Sequence, residues 1–341
     1  MILIQASGFY MIEHWKGKRV LVTGSGGFIA SHLVESLVIK GARVRAFVRY
    51  NSRNDPGNLA LLPGDILEQI EIVPGDLRDL PAVQNAAHGQ THIFHLGALI
   101  AIPYSYIHPA EVVETNVIGT LNVLLASRGS SVERLVHTST SEVYGTAQHV
   151  PIDEHHPLQG QSPYSASKIG ADKLAESFYR SFDLPVVTLR PFNTYGPRQS
   201  ARAVIPTIIT QALTQDVIHL GNLESRRDLT YVSDTVAGFI RLAETPGVEG
   251  DTFNLGSGSE VSIGDLAQMI VDLVGKPVSI EVDPARLRPP KSEVQRLLAD
   301  NRLACERLGW EPRVNLQEGL IQTIAWIAEN LHLYRTDRYQ V

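Results

Sequence analysis

The sequence predicts a doubly wound α/β fold, a parallel sheet covered by helices on both faces, with a smaller lobe in the C-terminal half. Three observations carry this. Short β-branched runs alternate with longer amphipathic stretches from Arg19 onward, the strands read as nearly continuous apolar runs, and the alternation weakens after about Arg190. Strands without polar alternation are buried on both faces, the mark of a parallel sheet. Right-handed crossovers then leave ligands at the carboxyl ends of the strands.

In order, residues 20–22 form the first strand and 31–40 a helix that Gly41 stops. Strands follow at 44–48, 70–73 and 93–96, then a helix over 112–127, a strand at 135–138, a further helix, and a strand at 186–189. Beyond Arg190 shorter elements, prolines and arginines take over. The chain is therefore expected to divide into a sheet domain over 18–190 and a lobe over 191–341, some of whose segments return to the sheet. Residues 1–17 read as an extension outside the fold, because the apolar run Met1 to Tyr10 has neither a positive n-region nor a small-residue cleavage site.

Composition narrows the class of function. With 43% hydrophobic and 19% charged residues the chain cannot be disordered. Cys305 is the one cysteine, which excludes a disulfide framework or an intrachain zinc cluster and points to a reducing, cytoplasmic setting. A net charge of −6 offers no surface for nucleic acid, and no apolar run approaches the ~20 residues of a membrane helix. The histidines lack ligand spacing, so no metal site is expected. His155-His156 reads as a solvated pair, and His95 as a core residue.

Thr23-Gly24-Ser25-Gly26-Gly27-Phe28-Ile29-Ala30 follows the first strand and opens the first helix. Glycines there let the backbone approach a pyrophosphate, whose charge then faces the helix N-terminus. Strand, glycines and helix in this order mark a Rossmann dinucleotide site rather than a plain turn, with Gly24, Gly26, Gly27, Phe28 and Ile29 as contacts. Ala30 replaces a glycine that serves helix–strand packing, where one methyl is a small change. About 20 residues on, where an acid would grip the NAD ribose, stand Arg49 and Arg53. As partners of a 2′-phosphate they favour NADP over NAD; as solvated loop residues they favour neither. Asp76-Leu77 ends a strand within reach of an adenine amino group, and Leu96-Gly97-Ala98 ends another where small residues let the cofactor lie close.

Tyr164 and Lys168 stand at i and i+4 on one helical face. A phenol with a pKa near 10 is a poor base, and an ammonium beside it favours the phenolate. Such a pair is common on helix surfaces. Its weight grows because Thr138-Ser139-Thr140-Ser141-Glu142-Val143-Tyr144-Gly145 lies upstream, directly after a predicted strand.

Together with Asn116-Val117-Ile118-Gly119-Thr120, Arg190-Pro191-Phe192-Asn193, Tyr195-Gly196-Pro197-Arg198, Arg227-Asp228-Leu229-Thr230-Tyr231-Val232 and Arg288-Pro289, these segments give a resemblance over about residues 18 to 330. The chain resembles the extended short-chain dehydrogenase/reductase family, the nucleotide-sugar epimerases and dehydratases. The resemblance implies that Tyr164 takes the sugar C4 hydroxyl proton, that Lys168 binds the nicotinamide ribose and lowers the tyrosine pKa, and that Thr140 holds the C4 oxygen. It implies substrate contacts at Asn193, Arg202, Val204, Arg227 and Arg288, with Asn193, Arg227 and Arg288 on the diphosphate, a role that suits the forked geometry of the two arginines. It also implies a homodimer through a four-helix bundle formed by 112–127 and 168–182.

Glu142 selects among the reactions of this family. Simple 4-epimerases usually have a small or neutral residue there, whereas elimination needs a base for the C5 proton once C4 is a ketone. Thr140-Ser141-Glu142 is similar to GDP-mannose 4,6-dehydratases. It departs from the Thr-Asp-Glu of dTDP-glucose 4,6-dehydratases, leaving Glu142 itself as the expected shuttle of a proton to the leaving C6 hydroxyl. UDP-glucuronate decarboxylases share the triplet, but Asp153-Glu154 and Ser162-Pro163-Tyr164 look like the dehydratase and epimerase branch. The segments 47–54, 201–206 and 288–294 resemble bacterial UDP-N-acetylglucosamine 4,6-dehydratases of nonulosonic sugar pathways. The expectation is a UDP-sugar 4,6-dehydratase with a tightly bound, recycled NADP or NAD, NADP being preferred. A 4-epimerase, a UDP-glucuronate decarboxylase and a non-catalytic dinucleotide sensor are the alternatives.

Overall fold

A computed structural model describes residues 14–334. Its first six strands are β1 (Arg19–Thr23), β2 (Arg43–Arg49), β3 (Ile70–Gly75), β4 (His92–His95), β5 (Arg134–Thr138) and β6 (Val186–Pro191). The later half adds β7 (Asn193–Tyr195), β8 (Val217–Leu220), β9 (Arg226–Tyr231), β10 (Thr252–Leu255), β11 (Glu260–Ser262), β12 (Ser279–Val282) and β13 (Arg296–Leu297). Seven of them form one parallel sheet in the order β10-β6-β5-β4-β1-β2-β3. The strand order reverses direction between β1 and β4, the crevice where such sheets take ligands. Every residue of β4 is buried, as is all of β1 beyond Arg19, because helices cover both faces. That is why these strands read as unbroken apolar runs.

The later half contributes a small sheet in which β9 pairs with β7, β11 and β13, and a two-stranded pair of β8 with β12. Meanwhile β10 returns to the edge of the main sheet beside β6. One large apolar cluster runs from Val20 and Val22 through Phe94 and Leu189 to Phe239 and Leu266, so sheet and lobe share a core.

Two expectations need correction. Trp15, assigned to an extension outside the fold, is completely buried. It packs edge-on to His92 and against Phe94, and its indole N–H donates to Glu244 at 2.7 Å. The packed body therefore includes residues ahead of Lys18; residues 1–13 lie outside the described residues. The histidine pair also splits. His155 is exposed, but His156 is 2% exposed, its Nε2 accepting from the Gln148 amide at 3.0 Å while Nδ1 donates to the Pro157 carbonyl. Its hydrogen bonds are local, a signal that residue type alone does not carry.

The helix expected over 112–127 starts earlier and is not regular. Pro109–Val113 and α-helical Gly119–Arg128 flank a π turn, Glu114–Ile118. The wider turn carries Asn116, which is fully buried. Its amide closes on both backbone groups of Leu99, accepting at 2.8 Å and donating at 2.9 Å, and reaches Ser167 at 3.0 Å. A single π turn of this kind often marks a functional position.

Candidate active site

The glycine loop leaves β1 and enters helix α1 (Phe28–Ile39). Gly24 has φ +70°, and a Cβ there would stand 2.6 Å from Gly97 Cα. A Cβ on Gly97 would in turn meet Leu77 Cδ1 at 2.6 Å. The ends of β1, β3 and β4 thus close on one another with no room for side chains. Gly27 caps α1 without a side-chain hydrogen bond, and the first turn holds no acid. Its free N–H groups therefore face the crevice as anion donors. A cradle of this form fits a dinucleotide pyrophosphate. Sequence reasoning missed a second wall, residues 56–58, where Asn58 N–H donates to Gly26 O at 3.0 Å.

At the adenosine end the side chains are already paired. Arg49, 66% exposed, donates to Glu111 at 3.2 Å, and Glu111 also accepts from Tyr104. Arg53 is exposed in a turn organised by Asn51. Asp76 accepts from Arg78 through both carboxylate oxygens, at 3.0 and 2.7 Å, which holds its carboxyl below the usual range. Leu77 is buried, while Leu96 and Ala98, flanking buried Gly97, are half-buried.

The catalytic candidates come from two elements. After β5 the backbone stays extended at Thr140 and turns once through the short helix Ser141–Tyr144. Thr140 caps that turn, its Oγ1 accepting from Glu142 N–H at 3.2 Å. Helix α2 (Pro163–Phe182) starts at Ser162, which exchanges hydrogen bonds with Ser165 in a capping box ahead of Pro163. Its first turns bury Tyr164 and Lys168, 6% and 3% exposed. Thr140 hydrogen-bonds the Tyr164 phenol, so the two elements do meet. Ser141 is buried, and Glu142 is half-buried.

The electrostatics differ from the expected Tyr–Lys coupling. Burial pushes the Tyr164 phenol well above its ordinary value; the Thr140 bond opposes this, and the charges of Glu142 and Asp172 add to it. Lys168 does not lower it, because its ammonium donates to the Thr138 carbonyl at 2.7 Å and is itself pushed down by burial to about 8. Asp172, on the same helix face as Lys168, accepts from His137, Ser139 and Arg190. None of those four was foreseen as part of the site, although the i+4 step from Lys168 to Asp172 was visible.

The substrate candidates divide. Arg227 is 7% exposed; its guanidinium reaches Glu293 at 3.5 Å and feels the charges of Glu142 and Arg288. Asn193 Oδ1 and Arg288 Nη1 are buried with no hydrogen-bond partner among the described residues. Orphaned buried polar atoms call for an explanation, and a bound polar ligand is one. Val204 is half-buried at the start of the helix Val204–Thr214, but Arg202 just before it is exposed. Glu142 makes no ion pair among the described residues, and its charge is felt by both Tyr164 and Arg227. Sequence reasoning also missed Glu293 and the loop clamp at Arg198, which pairs with Glu35 of α1 at 2.6 Å.

Comparison with known proteins identifies the family. A family model described as GDP-mannose 4,6 dehydratase matches residues 21–323. A dTDP-glucose 4,6-dehydratase from Streptomyces antibioticus is 33% identical over 92% of this chain and 93% of its own. A UDP-glucose 4-epimerase from Mycolicibacterium smegmatis is 34% identical over 90% of this chain and 97% of its own. Among solved structures, DesIV, a dTDP-glucose 4,6-dehydratase from Streptomyces venezuelae with NAD bound, superposes with a TM-score of 0.84. It is 30% identical, over 93% of this chain and 99% of that one.

Proposed function

This chain belongs to the GDP-mannose 4,6 dehydratase family, a nucleotide-sugar 4,6-dehydratase or 4-epimerase by its relatives, and from that premise we propose that it dehydrates a UDP-hexose, UDP-N-acetylglucosamine, to the 4-keto-6-deoxy sugar. The observation that carries the choice of reaction is Glu142. Its carboxylate is in no ion pair among the described residues, lies two positions after Thr140, and acts on both Tyr164 and Arg227. A group there can take a carbon-bound proton from a sugar whose C4 oxygen lies at Thr140. The choice of UDP-N-acetylglucosamine rests on the resemblance of segments 47–54, 201–206 and 288–294.

When bound, the dinucleotide supplies the hydride store, taking hydrogen from C4 and returning it at C6. The chain does the rest. Tyr164 takes the C4 hydroxyl proton as its phenolate, the form that burial opposes and the Thr140 bond favours, with Thr140 holding the oxygen that becomes the ketone. Lys168, charged below about pH 8, holds the cofactor ribose. Glu142 removes the C5 proton and hands it to the departing C6 hydroxyl, which leaves as water, so Ser141 is not required as an acid; C5 is reprotonated from solvent as C6 is reduced, and Tyr164 returns to solvent the proton it took from the C4 hydroxyl. Arg227 and Arg288 receive the diphosphate, Arg288 through the buried Nη1 that has no partner among the described residues, and Asn193 meets it through its amide N–H groups, leaving its Oδ1 to accept from a sugar hydroxyl.

In place of the NADP expected from the sequence, the cofactor in this reading is NAD. Glu111 already takes the guanidinium that a 2′-phosphate would need, Arg53 points into solvent-exposed loop, and DesIV was solved with NAD. A homodimer is part of the same reading, supported by exposed Val113 and Ile118 on one helix pair and Tyr179 and Phe182 on α2. Among the described residues no helix is long and apolar enough to cross a membrane.

Incubating the purified protein with UDP-N-acetylglucosamine tests the proposal. A 4-keto-6-deoxy product supports it. UDP-N-acetylgalactosamine instead establishes the epimerase reading, which the Mycolicibacterium relative favours.

A further inference from the structure

Asp172 is a buried charge that the chemistry above leaves unused. It is 4% exposed and accepts four hydrogen bonds: from His137 Nε2 at 3.1 Å, Ser139 Oγ at 2.7 Å, and Arg190 Nε and Nη2 at 3.2 and 3.1 Å. Taking a carboxylate out of water is costly unless it is paired and fully hydrogen-bonded, so a hub of this kind is a feature to be accounted for.

Two lines run outward from it. Along α2, Lys168 lies one turn before Asp172 on the same face, its ammonium donating to the Thr138 carbonyl at the end of β5. Across the sheet, Ser139 precedes Thr140 directly. Arg190 passes on from β6 to the Tyr144 hydroxyl at 2.9 Å, which in turn donates to Asn254 at 2.7 Å. Tyr144 ends the one-turn helix that carries Glu142. The same carboxylate therefore ties the helix bearing Tyr164 and Lys168 to the turn bearing Thr140 and Glu142. We infer that Asp172 is a positioning residue serving Lys168 and the Thr140–Glu142 turn together. This rests on the reading of Lys168 and Tyr164 given above.

The charges around Lys168 agree with the geometry. His95 from β4 and His137 from β5 are both held below their ordinary range by burial, so neither adds positive charge near neutral pH. Arg190 from β6 is positive and directed at Asp172. Tyr164, on the same helix, has its phenol pushed up by burial, while Glu142 acts on Tyr164 and Arg227. Asp172 is the charge that opposes the loss of the Lys168 proton, beside the hydrogen bond to the Thr138 carbonyl. Removing its charge makes that loss occur at lower pH.

The test is Asp172→Asn, read by the pH dependence of kcat/KM for sugar conversion and of the NAD dissociation constant. The alkaline limb of both should move down by about one unit or more, close to a tenfold loss above the limb. A folded Asp172→Asn protein, judged by circular dichroism, whose limbs stay where they were overturns the inference. If the variant does not fold because Arg190 is stranded, Asp172→Asn/Arg190→Gln removes the whole pair, a change buried pairs tolerate better, and is held to the same two outcomes. Tyr164→Phe keeps the layers apart. Should it turn over sugar, the active-site reading falls. Should it be inactive while the Asp172→Asn limbs do not move, only the Asp172 inference falls.

Discussion

The two ends of the cleft are built by opposite means. At the dinucleotide end the requirement is for absent atoms: Gly24 and Gly97 touch backbone to backbone, and α1 begins without a side-chain cap. At the substrate end the requirement is for charges gathered from far along the chain, Glu142 from the turn after β5, Arg227 from β9, and Arg288 and Glu293 from the approach to β13. A site defined by shape cannot be adjusted without closing it. A site defined by charge can be retuned one residue at a time. This difference suits a family in which relatives of similar identity to this chain carry out both dehydration and epimerisation.

Substitutions at each end should behave differently, and the largest effect is expected at the substrate end. Glu142→Gln should lower dehydration by about 10²–10⁴-fold while NAD binding, followed by calorimetry, stays as in the parent. Dehydration at the parent rate would remove Glu142 as the base. Gly24→Ala should do the reverse. Its methyl meets the Gly97 backbone at a positive φ, so strain of about 1–3 kcal/mol and a loss of NAD affinity of at least about tenfold are expected, visible in the melting temperature and in titration. Activity should also fall about tenfold for each pH unit above roughly 8, because Lys168 is charged below that value and neutral above it; an alkaline limb beyond pH 10 would contradict this. Arg227→Lys keeps the charge and loses the fork, so the substrate KM should rise about tenfold with NAD affinity unchanged. The smallest effect belongs to Glu111→Gln. Releasing exposed Arg49 should improve NADP binding relative to NAD by about two- to fivefold, and no change in that ratio would mean that Glu111 does not set it.

Legibility followed the same division. The strands and the glycine loop could be read directly, because a parallel sheet and a pyrophosphate cradle leave local, contiguous patterns at Val20–Val22 and Gly24–Gly27. Tyr164, Lys168 and Thr140 were visible as spacings beside a strand end. The partners of those residues were not. Whether Arg49 is free depends on Glu111, 62 positions away, and the pairing of Arg227 with Glu293 spans 66. Nor did the Tyr164–Lys168 spacing give the sign of the phenol's shift, because burial and two carboxylates decide it. The π turn escaped notice because one extra residue in a helical turn hardly disturbs apolar periodicity.

Trp15 bears on how the enzyme can be trimmed. A minimal version starting at Lys18, where the repeating pattern begins, would pull an indole from between His92, Phe94 and the helix ending at Glu244. Losing a buried aromatic of that size costs about 3–5 kcal/mol, a large part of what holds a domain together. The void would open under β4, whose far end leads into Gly97. Truncation at the apparent motif boundary should thus loosen the cofactor crevice from behind, and a tag is better attached ahead of His14 than in place of it.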